Sequence, residues 1–123
     1  MKKHINWNDF ISLSFKEVSI LQKLLEIEYH TIKNKKHWEE VRNHTQIIDN
    51  KVINIHTSYI GFIKKCNIEN MFEILAEDFD YLERCYKGFW LYLYDTPNSI
   101  QFEAENICDV AFKAVRYKLK EVK

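Results

Sequence analysis

The sequence predicts an all-α fold, an antiparallel four-helix bundle with a short N-terminal segment, in a single domain spanning residues 1–123. Three observations carry this expectation. Glycine occurs twice and proline once, too few to supply the many turns of an all-β fold. Four stretches repeat apolar residues at steps of three and four, the period that lines up one face of a helix. Short polar or breaking segments separate them, as antiparallel neighbours in a bundle require.

Residues 1–13 are too short for a domain of their own, and Trp7, Phe10 and Ile11 are expected to pack against the bundle. Ser14-Phe15-Lys16-Glu17 forms a capping box, in which the serine oxygen accepts from the amide three residues on and the glutamate reaches back. Val18, Leu21, Leu25, Tyr29 and Ile32 follow at helical spacing, which predicts a first helix over about 15–33. Trp38, Val41, Thr45, Ile48, Val52, Ile55, Tyr59 and Phe62 form a heptad seam and predict one long helix or two stacked ones over about 37–65. A competing pattern lies inside it. Gln46 to Ile53 reads as a β-hairpin with a tight Asp49-Asn50 turn, and β-branched residues are dense there. The helical period runs farther and is preferred, leaving an α+β fold with a small hairpin around residues 45–58 as the alternative.

Asn67 is placed to cap a third helix whose stripe is Ile68, Phe72, Leu75, Phe79, Leu82, Tyr86, Phe89 and Leu93. That helix would end at Asp95-Thr96-Pro97-Asn98 and bend at Gly88. The fourth helix is expected to start at Asn98 or Ser99 and to bury Ile100, Ala104, Ile107, Ala111 and Ala114. Lys113, Arg116, Lys118 and Lys120 gather near its end, where the helix dipole favours cations.

A composition of 46% hydrophobic and 29% charged residues places the chain among globular proteins. Formal net charge is zero, which argues against a strongly nucleic-acid-binding domain. The balance is uneven along the chain, because residues 67–108 hold nine acidic and only two basic groups. The cysteines Cys66, Cys85 and Cys108 are odd in number and form no C-x-x-C pair, so neither a disulfide framework nor a cysteine zinc site is signalled. No apolar run of a signal peptide or of a membrane helix is present. Together these features predict a cytoplasmic protein with reduced thiols and no membrane association.

Catalytic and cofactor motifs are missing. No Glu-x-x-His, H-E-x-x-H, glycine-rich phosphate loop or G-x-S-x-G elbow occurs. Helical-bundle ribonucleases of the HEPN type need a histidine a short gap after an arginine, and Arg42, Arg84 and Arg116 offer none at that distance. The nearest approach to a metal or cofactor site is His37, Glu40 and His44 on one face of the second helix, which would suit a bundle enzyme or metal binder using His37 and His44. No cofactor is expected.

The asymmetric feature is the third helix. At 100° per residue, Glu69, Glu73, Glu77 and Asp80 fall in a narrow band opposite the apolar stripe, with Leu91 and Tyr94 farther along it. Like charges along one helix face repel. Aromatic anchors beside complementary charge suit a protein interface. The expectation is a non-enzymatic protein-binding module with Glu69, Glu73, Glu77, Asp80, Leu91 and Tyr94 as partner-binding residues. Immunity proteins and antitoxins have this size and lack of chemistry, and they can inhibit a basic partner such as a nuclease toxin by offering carboxylates in place of phosphates. The alternatives are the His37/His44 site and a structural homodimer whose long helices extend across a two-fold axis.

Overall fold

The computed structural model describes residues 1–43, 47–48, 51–52, 56–95 and 97–122, with the backbone alone at 47–48, 51–52 and 56–57. The architecture is α+β, with six helices and two antiparallel sheets among the described residues. The four-helix bundle is therefore corrected, and the α+β alternative is the closer description.

The N-terminal half is helical. α1 (Trp7–Ile11) is closed at its start by an Asn6/Asp9 capping box. α2 (Phe15–Leu24) starts at the Ser14/Glu17 capping box as expected, but it stops well before residue 33. Glu26 takes a left-handed φ of 54° just past the end of α2. The seam over 37–65 divides into α3 (Lys35–Asn43) and α4 (His56–Lys65). Between them β1 (Ile47–Ile48) pairs with β2 (Lys51–Val52), with Ile47 opposite Val52 and Ile48 opposite Lys51. That is the register of the hairpin reading; its Asp49-Asn50 turn lies outside the described residues. Phe10 centres an aromatic cluster, 5.1 Å from Trp38, 4.9 Å from Phe62 and 5.7 Å from Tyr59. The Trp38 indole donates to the Leu13 carbonyl at 2.9 Å, so its polar atom is satisfied in the core.

α5 (Ile68–Leu75) begins at Asn67, whose side chain accepts from the Asn70 amide. The predicted third helix ends there. β3 (Phe79–Cys85), β4 (Gly88–Asp95) and β5 (Asn98–Ala104) follow as an antiparallel meander in that order. The cause is legible in retrospect. Phe89, Leu91 and Leu93 alternate with Trp90, Tyr92 and Tyr94, so β4 has period two. A β-bulge between Phe79 and Tyr81 shifts the parity of β3, so Phe79 and Leu82 both pack on the core despite a spacing of three. The bulge imitates a helical step. Gly88 opens β4 where a Cβ would collide with the Ala104 carbonyl and the Glu105 backbone.

α6 (Ile107–Glu121) is capped by Asn106 rather than by Asn98 or Ser99, because residues 98–104 are strand. It buries Cys108, Val110, Ala111, Phe112, Ala114, Val115 and Leu119, and packs against α2, α5, β4 and β5. Its small residues let these elements approach closely. Arg116 ties α6 to α2 through Glu17, donating to its two carboxylate oxygens at 2.8 and 3.0 Å. Lys2 bridges Asp9 and Asp109 at 2.7 and 2.6 Å and fastens the N-terminal segment to α6.

Candidate functional site

Among the described residues, the β3–β4–β5 sheet packs against the core on one face only. Phe79, Leu82, Phe89, Leu91, Leu93, Ile100, Phe102 and Ala104 meet the core beneath α6 and α5. The strand register places a second set on the opposite face, since residues directly paired across strands share a face. Tyr81 is paired with Tyr92 and Tyr92 with Gln101; Glu83 is paired with Trp90 and Trp90 with Glu103; Tyr94 is paired with Ser99. Neither Trp90 nor these tyrosines pack against the core cluster.

This outer face is aromatic and acidic. Tyr81, 46% exposed, stacks on Tyr92 with ring centroids 4.2 Å apart and planes 17° from parallel. Shielding by neighbours, a hydrogen bond with Tyr81 and the charge of Glu83 push the Tyr92 hydroxyl above its usual range. Tyr94 is 60% exposed, and its hydroxyl is pushed up by a hydrogen bond to Asp80 and by that carboxylate's charge. Asp80 also accepts from the Ser99 hydroxyl at 3.1 Å. The Trp90 indole nitrogen is shielded and makes no hydrogen bond among the described residues. No lysine or arginine occupies an outward position on these strands; Arg84 pairs with Phe89 on the other parity and Lys87 lies in the turn.

The predicted partner-binding residues divide among four places. Asp80 and Tyr94 meet at the bulged end of the outer face. Leu91 is fully buried beneath the sheet and offers no surface, because in a strand it faces opposite to Trp90 and Tyr92. Glu69 is exposed in the first turn of α5. Glu73 and Glu77 line a groove of about 630 Å³ between the ends of α2, α5 and α6, over Leu25, Ile74 and Leu119. Lys65 and Lys118 line it too, so the acids there face cations of the same chain. Lys65 donates to the Leu25 and Glu26 carbonyls, both at 3.1 Å, and Lys118 pairs with Asp78. The single acidic helix face is thus corrected. Sequence reasoning missed Trp90, Tyr81, Tyr92, Glu83 and Glu103 as one surface, although the alternation of residues 89–94 was a usable signal.

Of the histidines proposed as ligands, His37 is described and His44 lies outside the described residues. The His37 Nδ1 accepts from the Lys33 amide at 3.1 Å, which puts the ring proton on Nε2, facing the Tyr59 hydroxyl at 3.3 Å. Both ring nitrogens are engaged within the chain. Among the described residues no group of three histidine, cysteine or acidic side chains is placed to hold a metal ion. Burial pushes the Cys66 thiol up to about 12 and the Cys108 thiol up to about 11, and both are fully buried. No described helix is long and apolar enough to cross a membrane. Comparison with protein-family models, curated proteins and solved structures finds no match to this chain.

Proposed function

We propose that this chain is a non-enzymatic protein-binding module that docks a basic protein partner on the outer face of the β3–β4–β5 sheet, in the manner of an immunity or antitoxin-like inhibitor. The observation that carries the reading is the composition of that face. Tyr81, Trp90, Tyr92 and Tyr94 stand beside Asp80, Glu83 and Glu103, with no cation at an outward strand position. Aromatic side chains supply contact area at low entropic cost and dominate interface energetics. The carboxylates steer and select an oppositely charged partner. Sheet aromatics also serve single-stranded nucleic acids, but there they stand in a basic groove; carboxylates in these positions repel phosphates. Packing the face on a second copy of itself about a two-fold axis would bring like carboxylates together, which disfavours the homodimer through this surface.

The test is capture from a lysate of the source organism by three folded baits: wild type, Glu83→Lys/Glu103→Lys and Glu69→Lys/Glu73→Lys/Glu77→Lys. The expected result is a basic protein retained by wild type and by the α5 variant but lost from the sheet variant. Retention by a sheet variant of native circular dichroism would overturn the assignment of the face. Loss from the α5 variant alone would move the docking surface to the groove beside α2 and α6.

A further inference from the structure

The geometry points to a specific anchor within that face: the row Glu83–Trp90–Glu103 is a clamp for one arginine side chain of the partner, whose guanidinium stacks on the Trp90 ring between the two carboxylates. The inference rests on the docking role proposed above for the sheet. Trp90 is directly paired with Glu83 on one side and with Glu103 on the other. Neighbouring strands lie about 4.8 Å apart, so the two acidic side chains rise about 5 Å to either side of the indole. Both glutamates are exposed, and neither carboxylate has an ion pair or a hydrogen bond among the described residues. Two like charges are thus held on the same face with an aromatic surface between them.

A cation over that ring gains from the indole quadrupole and from both carboxylates at once. Arginine fits this layout better than lysine. Its guanidinium is planar and stacks, it is weakly hydrated, and its N–H groups point outward in the ring plane toward acceptors on either side. An ammonium is a compact charge that satisfies one carboxylate at a time and holds its water more strongly. The stacked Tyr81 and Tyr92 rings stand in the adjacent row and give the arginine stem an apolar wall.

The test uses the intact chain and two blocked peptides, one alternating arginine with glycine and one alternating lysine with glycine. Binding is read from the Trp90 indole N–H signal in ¹⁵N-edited NMR spectra, assigned with Trp90→Phe. Affinity for the arginine peptide is expected in the millimolar range, about threefold or more above that for the lysine peptide. Glu83→Gln/Glu103→Gln, at two exposed positions, is expected to weaken arginine binding about tenfold while leaving the spectrum of the core unchanged. Equal affinity for the two peptides overturns the arginine clamp while leaving a basic partner on this face. An unchanged Trp90 signal up to about 10 mM peptide, or undiminished binding by the glutamine variant, overturns the clamp outright. Failure of the docking proposal has a different signature: Trp90 responds to arginine, yet no captured protein depends on Glu83 and Glu103.

Discussion

Among the described residues the Glu17–Arg116 pair is the one place where a charge is almost fully buried, and its removal has a calculable cost. Glu17 is 2% exposed, and Arg116 reaches it through two nitrogens at 2.8 and 3.0 Å. The same carboxylate closes the capping box by accepting from the Ser14 amide at 3.0 Å. Charge centres about 4 Å apart at an effective dielectric of about 20 attract by ~4 kcal/mol. Desolvation offsets much of this, so the pair contributes little beyond an apolar replacement of equal volume. Removing one partner alone differs, because the other charge stays buried at a cost of about 3–5 kcal/mol. The Arg116 side chain is 30% exposed, so water enters as the guanidinium leaves and the lower end applies. Arg116→Met, which keeps an apolar stem but removes the guanidinium that stands over the Phe112 ring, is expected to cost about 3 kcal/mol, a large share of a stability of about 5–15 kcal/mol. Glu17→Gln should cost about 1–2 kcal/mol, since the amide oxygen still caps Ser14 and the exposed side of Arg116 rehydrates. Urea unfolding of the two single variants and the double variant, at unchanged denaturant dependence, gives the coupling energy. A value above about 1 kcal/mol is expected. A value below about 0.5 kcal/mol, typical of exposed pairs, refutes the reasoning.

Other outcomes follow from the same structure. Burial alone would raise the Glu17 pKa, but hydrogen bonds from Arg116 and the Ser14 amide outweigh it and hold the carboxyl below its usual range. Its contribution is therefore present above the unfolded pKa, about 4.3, and is lost as pH falls through the lower folded value; the stability gap between wild type and Glu17→Gln should narrow below about pH 4 in urea titrations. Leu91→Ala should lose about 2–5 kcal/mol by opening a cavity under the sheet, whereas Tyr94→Ala should stay within about 1 kcal/mol; equal effects in thermal melts would contradict the strand parity. Gly88→Ala should cost about 1–3 kcal/mol, because the new Cβ meets backbone at Ala104 and Glu105 rather than a flexible side chain. With a disulfide reagent at pH 8, only the partly exposed Cys85 should react quickly, while Cys66 and Cys108 react at the rate of unfolding.

Local sequence determined the features whose cause lies within a few residues. The Ser14/Glu17 capping box and the Asn67 cap are where the residues placed them, because a side-chain oxygen beside an orphan amide needs no distant partner. The packing of Trp7, Phe10 and Ile11 on the core and the concentration of acid over residues 67–108 were legible for similar reasons. Chain continuity across 79–104 was not. Spacings of three and four in that segment arise from a bulge at Asp80 and from β3 and β4 meeting across the Tyr86-Lys87 turn, and they have the same appearance in one dimension as a helical stripe. The tetrapeptide Tyr-x-Gly-Phe shows the limit directly: residues 59–62 are helix and residues 86–89 are a strand turn. What separates them is non-local, since Phe62 packs on Phe10 while Gly88 sits against the Ala104 backbone. The candidate site has the same origin. Glu83, Trp90 and Glu103 lie seven and thirteen residues apart in sequence and become one row only through strand pairing. Side-chain chemistry and local caps belong to the sequence; which face each residue shares, and with whom, was decided by the sheet, because burying Leu91 and Leu93 under α6 turns Trp90, Tyr92 and Tyr94 outward.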